Sequence, residues 1–284
     1  MKFRKFLAVA MAACAIGLVT GCSDDKKDSP EDSITIRDEH GNIQLTIKNP
    51  EKWVAAANAV AAALQEDATE QLQEWLTEEQ SKLQNQAASL TVDEMIDECA
   101  DEVNDVATDK IPSPLAIFTT GDDCVANMVS VRNVLLGSLD GTVNEASIMA
   151  LTAAKNPQLA QKISTQLADA VAKIQAIPKP LKQNANSPEA KAAIGACLSL
   201  EQTLTGELQP MFRQLTGEDN ALKAIVNQYA TGVVTPSVNA AKTAADELLI
   251  AVNTLPSQPT EAHLQAVIAA YIKARGALDL CGAF

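Results

Sequence analysis

The chain has 284 residues, 47% hydrophobic, 20% charged and only 3% aromatic, and its 22 Lys+Arg face 36 Asp+Glu for a formal net charge of −14. Apolar content near half buries a sizeable core at this length, which excludes a chain disordered throughout. The acidic balance, with no clustered basic stretch, excludes nucleic acid as a main partner, because phosphate binding needs cations that release counterions.

Lys2, Arg4 and Lys5 precede an apolar run from Phe6 to Val19 that is too short for a comfortable membrane span, so residues 1–21 read as an export signal. The run ends Leu18-Val19-Thr20-Gly21-Cys22. This resembles a bacterial lipobox, in which small residues before a Cys admit a signal peptidase and leave that Cys as the acylated N-terminus. Cys22 is therefore the expected lipidation site. Acyl chains such as palmitate would anchor the protein to a membrane, since each buried CH₂ contributes roughly 0.8 kcal/mol and one chain alone binds only marginally. The expected location is that of an outer-membrane lipoprotein, on the periplasmic side or at the cell surface. Residues 22–32 are polar and acidic and read as a disordered tether. Their acidic run also looks like the surface-export tag of some Gram-negative lipoproteins, and a solvated spacer accounts for it as well.

Over residues 33–48, Ile34-Thr35-Ile36 and Ile43-Gln44-Leu45-Thr46-Ile47 alternate apolar and polar around a turn that holds His40, which predicts a short β-hairpin. Residues 49–284 have helical period and predict one all-α domain of antiparallel bundles. Asn49-Pro50 opens a long amphipathic helix with Trp53 and Trp75 on its apolar stripe, where tryptophans anchor a core. Thr91 to Glu94 has the form of a capping box, and Pro112 and Pro114 end the helix it would start. Asp122 and Asp123 are expected to cap the next helix, which stops at Gly137. Further starts are expected at Asn144 to Ser147, Asn156-Pro157, Ser187-Pro188, Glu218 to Asn220, Pro236 and Thr260-Glu261, with breaks at Pro178 to Pro180, Gly206, Gly217 and Leu255-Pro256. No short solenoid-type repeat is present. The stripes are rich in Ala, which allows close helix approach at little apolar volume per contact. The acidic runs Glu78-Glu79 and Asp97 to Asp105 read as solvated helix faces, with a cation site as the alternative.

Cys99, Cys124, Cys197 and Cys281 remain once Cys14 leaves with the signal and Cys22 takes lipid. An even number in an oxidising compartment allows disulfides, and their places on apolar helical faces equally allow unpaired core thiols. No CxxC or Cys/His spacing points to zinc. Catalytic constellations are scarce: His40 and His263 are the two histidines, and GxSxG, HExxH and P-loop patterns do not occur.

Asp123-x-x-x-Asn127-x-x-x-Val131-Arg132-Asn133-Val134-Leu135-Leu136-Gly137 resembles the stretch "D…N…IRNVYLG" of imelysin-like proteins, the peptidase M75 and iron-regulated lipoprotein group. The helix from Trp53 to Trp75 is similar to the one preceding that stretch, and Ala172 to Pro180 is similar to the "AIxAIPxPF" helix end that comes after it. Tyr229 to Pro236 and Ala270 to Arg275 resemble the segment that opens the usual domain, which reverses the ordinary order and implies a circular permutation. The resemblance implies an imelysin-like helical fold over about residues 50 to 280. The family's Gly-x-His-x-x-Glu, whose His and Glu at helical spacing suit a metal or proton transfer, is matched by neither histidine. The ending Arg275 to Phe284 lacks a conventional closing cap, and a truncated reading frame is the expectation there.

For function, these features imply a cell-envelope lipoprotein acting as a non-catalytic binding or scaffold module, with iron or haem as the ligand class the resemblance suggests and no resident cofactor or metal assigned. Its partners would be a membrane, through Cys22, and an envelope protein or that ligand. The alternative is a metal-dependent peptidase. The family-motif positions are Asp123, Asn127, Arg132 and Asn133. Asp123 is expected to cap a helix, and Arg132 to make a bundle ion pair, with ligand contact as its alternative.

Overall fold

The computed structural model of the chain describes residues 33–37, 43–48, 85–113, 120–253 and 261–284, with Thr77 and Ser81 as isolated positions. The expectations for Cys22, the tether, His40, Trp53, Trp75 and Glu78-Glu79 lie outside them. In chain order the elements are strands β1 (Ser33–Arg37) and β2 (Ile43–Lys48), then helices α1 (Ala88–Asp105), α2 (Thr120–Leu136), α3 (Ile148–Lys155), α4 (Pro157–Gln175), α5 (Leu181–Asn184), α6 (Pro188–Thr203), α7 (Gln209–Arg213), α8 (Asp219–Gln228), α9 (Thr235–Asn253) and α10 (Glu261–Asp279). The described body is thus predominantly helical.

The chain divides into two compact units, Met1–Gln73 with Ala241–Ala274, and Glu74–Ala240 with Arg275–Phe284. In the first, β1 and β2 are antiparallel with Ile34 opposite Ile47 and an irregularity at Ile36/Arg37. Its helical part buries Ala241, Ala244, Ala245, Leu248, Val252 and Val267, and Lys273 pairs with Glu247 across α10 and α9.

Among the described residues the largest fully buried side chains lie in the second unit, among them Ile96, Ile111, Met128, Leu135, Ile148, Ile163 and Leu200. Val92, Met95, Ile96, Cys99, Ala100 and Val103 recur on one face of α1 at the spacing that points a helix inward. The helix starts earlier than its sequence suggests. Its N-cap is Ala87, and Thr91 lies in the first turn with its hydroxyl on the Ala87 carbonyl at 3.4 Å, so the capping box is not used. Other starts follow local chemistry. Ser147, Asn156 and Ser187 each accept, through the side chain, the backbone N–H three residues on, at 3.0 to 3.1 Å. Gly137 ends α2 with φ 66°, a left-handed turn that most side chains resist, while the Ser138 N–H returns to the Asn133 carbonyl.

Three widened π-type turns extend α1, α6 and α8, at Val106–Lys110, Leu204–Leu208 and Tyr229–Val234. Each ends two residues before a proline. In each, the residue just ahead of that proline donates its N–H five positions back: Ile111 to Val106, Gln209 to Leu204, Thr235 to Ala230. A proline has no N–H to give and its ring crowds the carbonyl one turn earlier, and a wider turn relieves both. The helical path therefore runs through Pro210 and Pro236 without stopping, where the sequence suggests a break at Gly206 and a fresh start at Pro236.

The most extensive helix contact among the described residues joins α4 and α6. Leu159, Ile163, Leu167 and Ile174 of α4 and Ala190, Ala193, Ala196 and Leu200 of α6 are buried, and small side chains on α6 let the backbones approach.

Candidate functional site

On α2 the residues Asp123, Asn127 and Ser130 fall at i, i+4 and i+7, so they share one face of the helix, and all three are buried. The segment Arg275–Phe284 lies against this face. Asp123 Oδ2 is 2.7 Å from the Arg275 Nε, with both side chains about nine-tenths buried. One turn on, Asn127 Nδ2 donates to the Asp279 carbonyl at 3.1 Å, and one turn further the Ala283 N–H donates to Ser130 Oγ at 3.0 Å. Arg275 and Asp279 are themselves one helical turn apart, with Nε and Oδ2 separated by 3.9 Å. A second, partly buried pair flanks the cluster. Lys110, in the first widened turn, reaches Glu102 of α1 at 2.6 Å.

Gly282 lets these groups close up. A Cβ there would stand 2.7 Å from Asn127 Nδ2 and 2.8 Å from Glu102 Oε1, too near for any larger residue without displacing them. The segment ends with Phe284 edge-on to Tyr229, ring centroids 6.1 Å apart.

Among the described residues Asp279 is the deepest acid, with 1% of its surface exposed, and neither of its carboxyl oxygens meets an N–H donor. Burial pushes its carboxyl well above the usual range, the Asp123 charge adds to that, and Arg275 and Lys110 oppose it. A neutral Asp279 gains what the ionised form lacks, an O–H that donates to the Asp123 carboxylate. The arrangement is two buried carboxyl groups, Asp123 and Asp279, beside one guanidinium. The Oδ1 of Asn127 is also buried without a donor.

The structure separates the four motif residues. Asp123 and Asn127 enter this cluster. Asp123 sits in the first turn of α2 facing the interior, and its carboxylate meets Arg275; Asp122 beside it is exposed and meets Lys179 at 3.0 Å. Asn133 is buried, and its Oδ1 accepts from Arg132 Nη2 at 2.9 Å. Among the described residues Arg132 makes that contact and no ion pair. Glu102 departs from the solvated face expected of residues 97–105, because it lies on the inward side of α1 with Val103 and Cys99, while Asp97 and Asp101 are exposed. Arg275, Asp279, Ser130 and Lys110 were not anticipated as site residues. The signal for them was a polar stripe on the apolar face of α2 and an Arg/Asp pair at i, i+4 near the end of the chain.

Cys99, Cys124, Cys197 and Cys281 are buried free thiols. Burial pushes Cys197 and Cys281 up to about 12 and raises Cys99 and Cys124 as well, so all four stay protonated and are poor nucleophiles. His263 is exposed in the first turn of α10. Among the described residues no three His, Cys, Asp or Glu side chains stand together as a metal-binding group, and no helix is long and apolar enough to cross a membrane.

The imelysin (peptidase M75) family model matches residues 38–206. That span includes the Asp123 to Gly137 stretch and the Ala172 to Pro180 helix end, and stops short of Tyr229 to Arg275. The crystal structure of an imelysin peptidase from Bacteroides ovatus is similar at 29% identity with a TM-score of 0.77, over 82% of this chain and 76% of that one. No curated protein matches the chain.

Proposed function

This chain belongs to the imelysin family, and from that premise we propose that it is a cell-envelope lipoprotein, acylated at Cys22, that works as a non-catalytic binding or scaffold module with iron or haem as its ligand class. One observation carries the non-catalytic part of this reading. The most distinctive stretch of the sequence turns inward, and Asp123 and Asn127 engage Arg275 and the Asp279 backbone, so these side chains fasten helices together. The basic start, the short apolar run and the small residues before Cys22 support the anchor. The reversed order of the family segments belongs to the same reading.

The competing reading is a metal-dependent peptidase, favoured by the family name and by the description of the Bacteroides ovatus protein as a peptidase. The two are distinguished by incubating the purified full chain with casein and, separately, equilibrating it by dialysis against iron or haem. Retained iron or haem with intact casein is the expected result. Chelator-sensitive cleavage that survives repurification reverses the assignment, and an empty protein with intact casein reduces it to a scaffold. Mass analysis of the cell-derived protein tests the anchor: an N-terminus other than acylated Cys22 removes it.

A further inference from the structure

The contact between α2 and the segment Arg275–Phe284 has three polar rungs and a charge count that does not balance by itself. Among the described side chains two cations, Lys110 and Arg275, face three carboxyl groups, Glu102, Asp123 and Asp279, in a largely buried space. Glu102 has Lys110 at 2.6 Å and Asp123 has Arg275 at 2.7 Å, which leaves Asp279 with the 3.9 Å contact and no N–H donor at either oxygen. Neutrality is reached when one carboxyl keeps its proton, and Asp279 is the one whose ionised form lacks a close partner. A buried, unbalanced carboxylate beside Asp123 would be expelled toward water, and it would carry its chain segment with it.

We propose that Arg275–Phe284 is a proton-operated latch on α2, shut while Asp279 is neutral and loosened when it ionises. The charged and titratable groups around Asp279 are Asp123 and Cys124 on α2, Lys110 in the widened turn, Glu102 on α1, and Arg275 and Cys281 on its own segment. Opening would withdraw the Ala283 N–H from Ser130, part Phe284 from Tyr229 and uncover Cys281.

The direction in pH comes from Asp279 holding its proton more tightly when shut. Below the ordinary carboxylate value of about 3.9 Asp279 is protonated in both states, and its contribution to holding the latch shut is complete. Above it, opening releases a proton, so the opening constant rises by up to about tenfold per pH unit until the shut state's own, raised value is passed. The Asp279 contribution is therefore strongest in mild acid, opposite in sign to that of a salt-bridged carboxylate such as Asp123.

Thiol labelling of the native full chain reads this directly, with peptide mapping to compare Cys281 in the latch with Cys197 on α6, both buried and both raised to about 12. The ratio of labelling at Cys281 to that at Cys197 is expected to climb as pH rises from 5 to 8. In Asp279→Asn, which holds a neutral isostere at every pH, it is expected to stay flat at the low value. A flat ratio in the wild type, or the same climb in the variant, overturns the latch. Should the variant not fold, infrared spectroscopy of the wild type decides. A neutral-carboxyl band persisting at neutral pH and vanishing on alkalinisation together with the labelling change supports the proposal. Absence of that band at neutral pH overturns it.

Discussion

Two helix contacts in the same compact unit are built on opposite principles. Between α4 and α6 the contact is mainly apolar, with small and aliphatic side chains in a repeating stripe and Gln166 Nε2 meeting Ser199 beside it, and most of its free energy comes from buried apolar area and close approach. Between α2 and Arg275–Phe284 the contact is polar, and each of its three rungs needs a named partner at a fixed place. An apolar contact tolerates volume-conserving exchange and loses stability gradually. A buried ion pair adds little net stability over an apolar substitute, yet losing one partner is severe, because the other is left charged without water. The difference teaches where this protein is adjustable: the α4–α6 contact sets how stable the unit is, and the polar contact sets whether Arg275–Phe284 is docked.

Removing the central cation should have the largest effect. Arg275→Leu removes the guanidinium from beside the buried Asp123 and should cost about 3–5 kcal/mol in urea unfolding at neutral pH; a loss below about 1 kcal/mol would mean that the rung does not hold the segment. On the apolar side, Ala193→Leu inserts a large side chain at a fully buried position of α6 and should cost about 1–3 kcal/mol by forcing helices apart. A neutral result would show room that the packing does not leave. Glycine exchanges contrast the two regions at constant chemistry. Gly282→Ala drives a methyl group into Asn127 and Glu102 and should destabilise by about 1 kcal/mol or more, whereas Gly195→Ala on α6, with nothing within 4 Å, should stabilise by about 0.5–1 kcal/mol in the same melts. Equal signs for the pair would sink the argument. The smallest effect belongs to Lys179→Ala, which deletes the exposed pair with Asp122 and should shift stability by less than about 0.5 kcal/mol.

Helix beginnings were legible wherever their chemistry is local. Asn156-Pro157 and Ser187-Pro188 cap as written, since side-chain acceptor and backbone donor lie three residues apart. Thr91 misled because the residues before it extended the helix to Ala88 and turned a capping hydroxyl into one bonded one turn back. Pro236 and Gly206 misled for a related reason: a widened turn absorbs what an ordinary α-turn cannot, and nothing in a residue's own propensity announces that widening. The site was half legible. Asp123 and Asn127 stood out in the family-like stretch, but their partners Arg275 and Asp279 lie about 150 positions away, where local patterning does not reach.

By itself, then, the amino-acid order determined a predominantly helical body, its Ser and Asn caps, its stop at Gly137 and the family resemblance, because each depends on periodicity or on groups a few residues apart. Tertiary structure alone decided that Asp123 would meet Arg275 across 152 positions, that Glu102 would turn inward and that Asp279 would lie where ionisation is costly. The physical reason is that a charge's fate depends on which faces exclude water together, and that is known only once distant helices have packed.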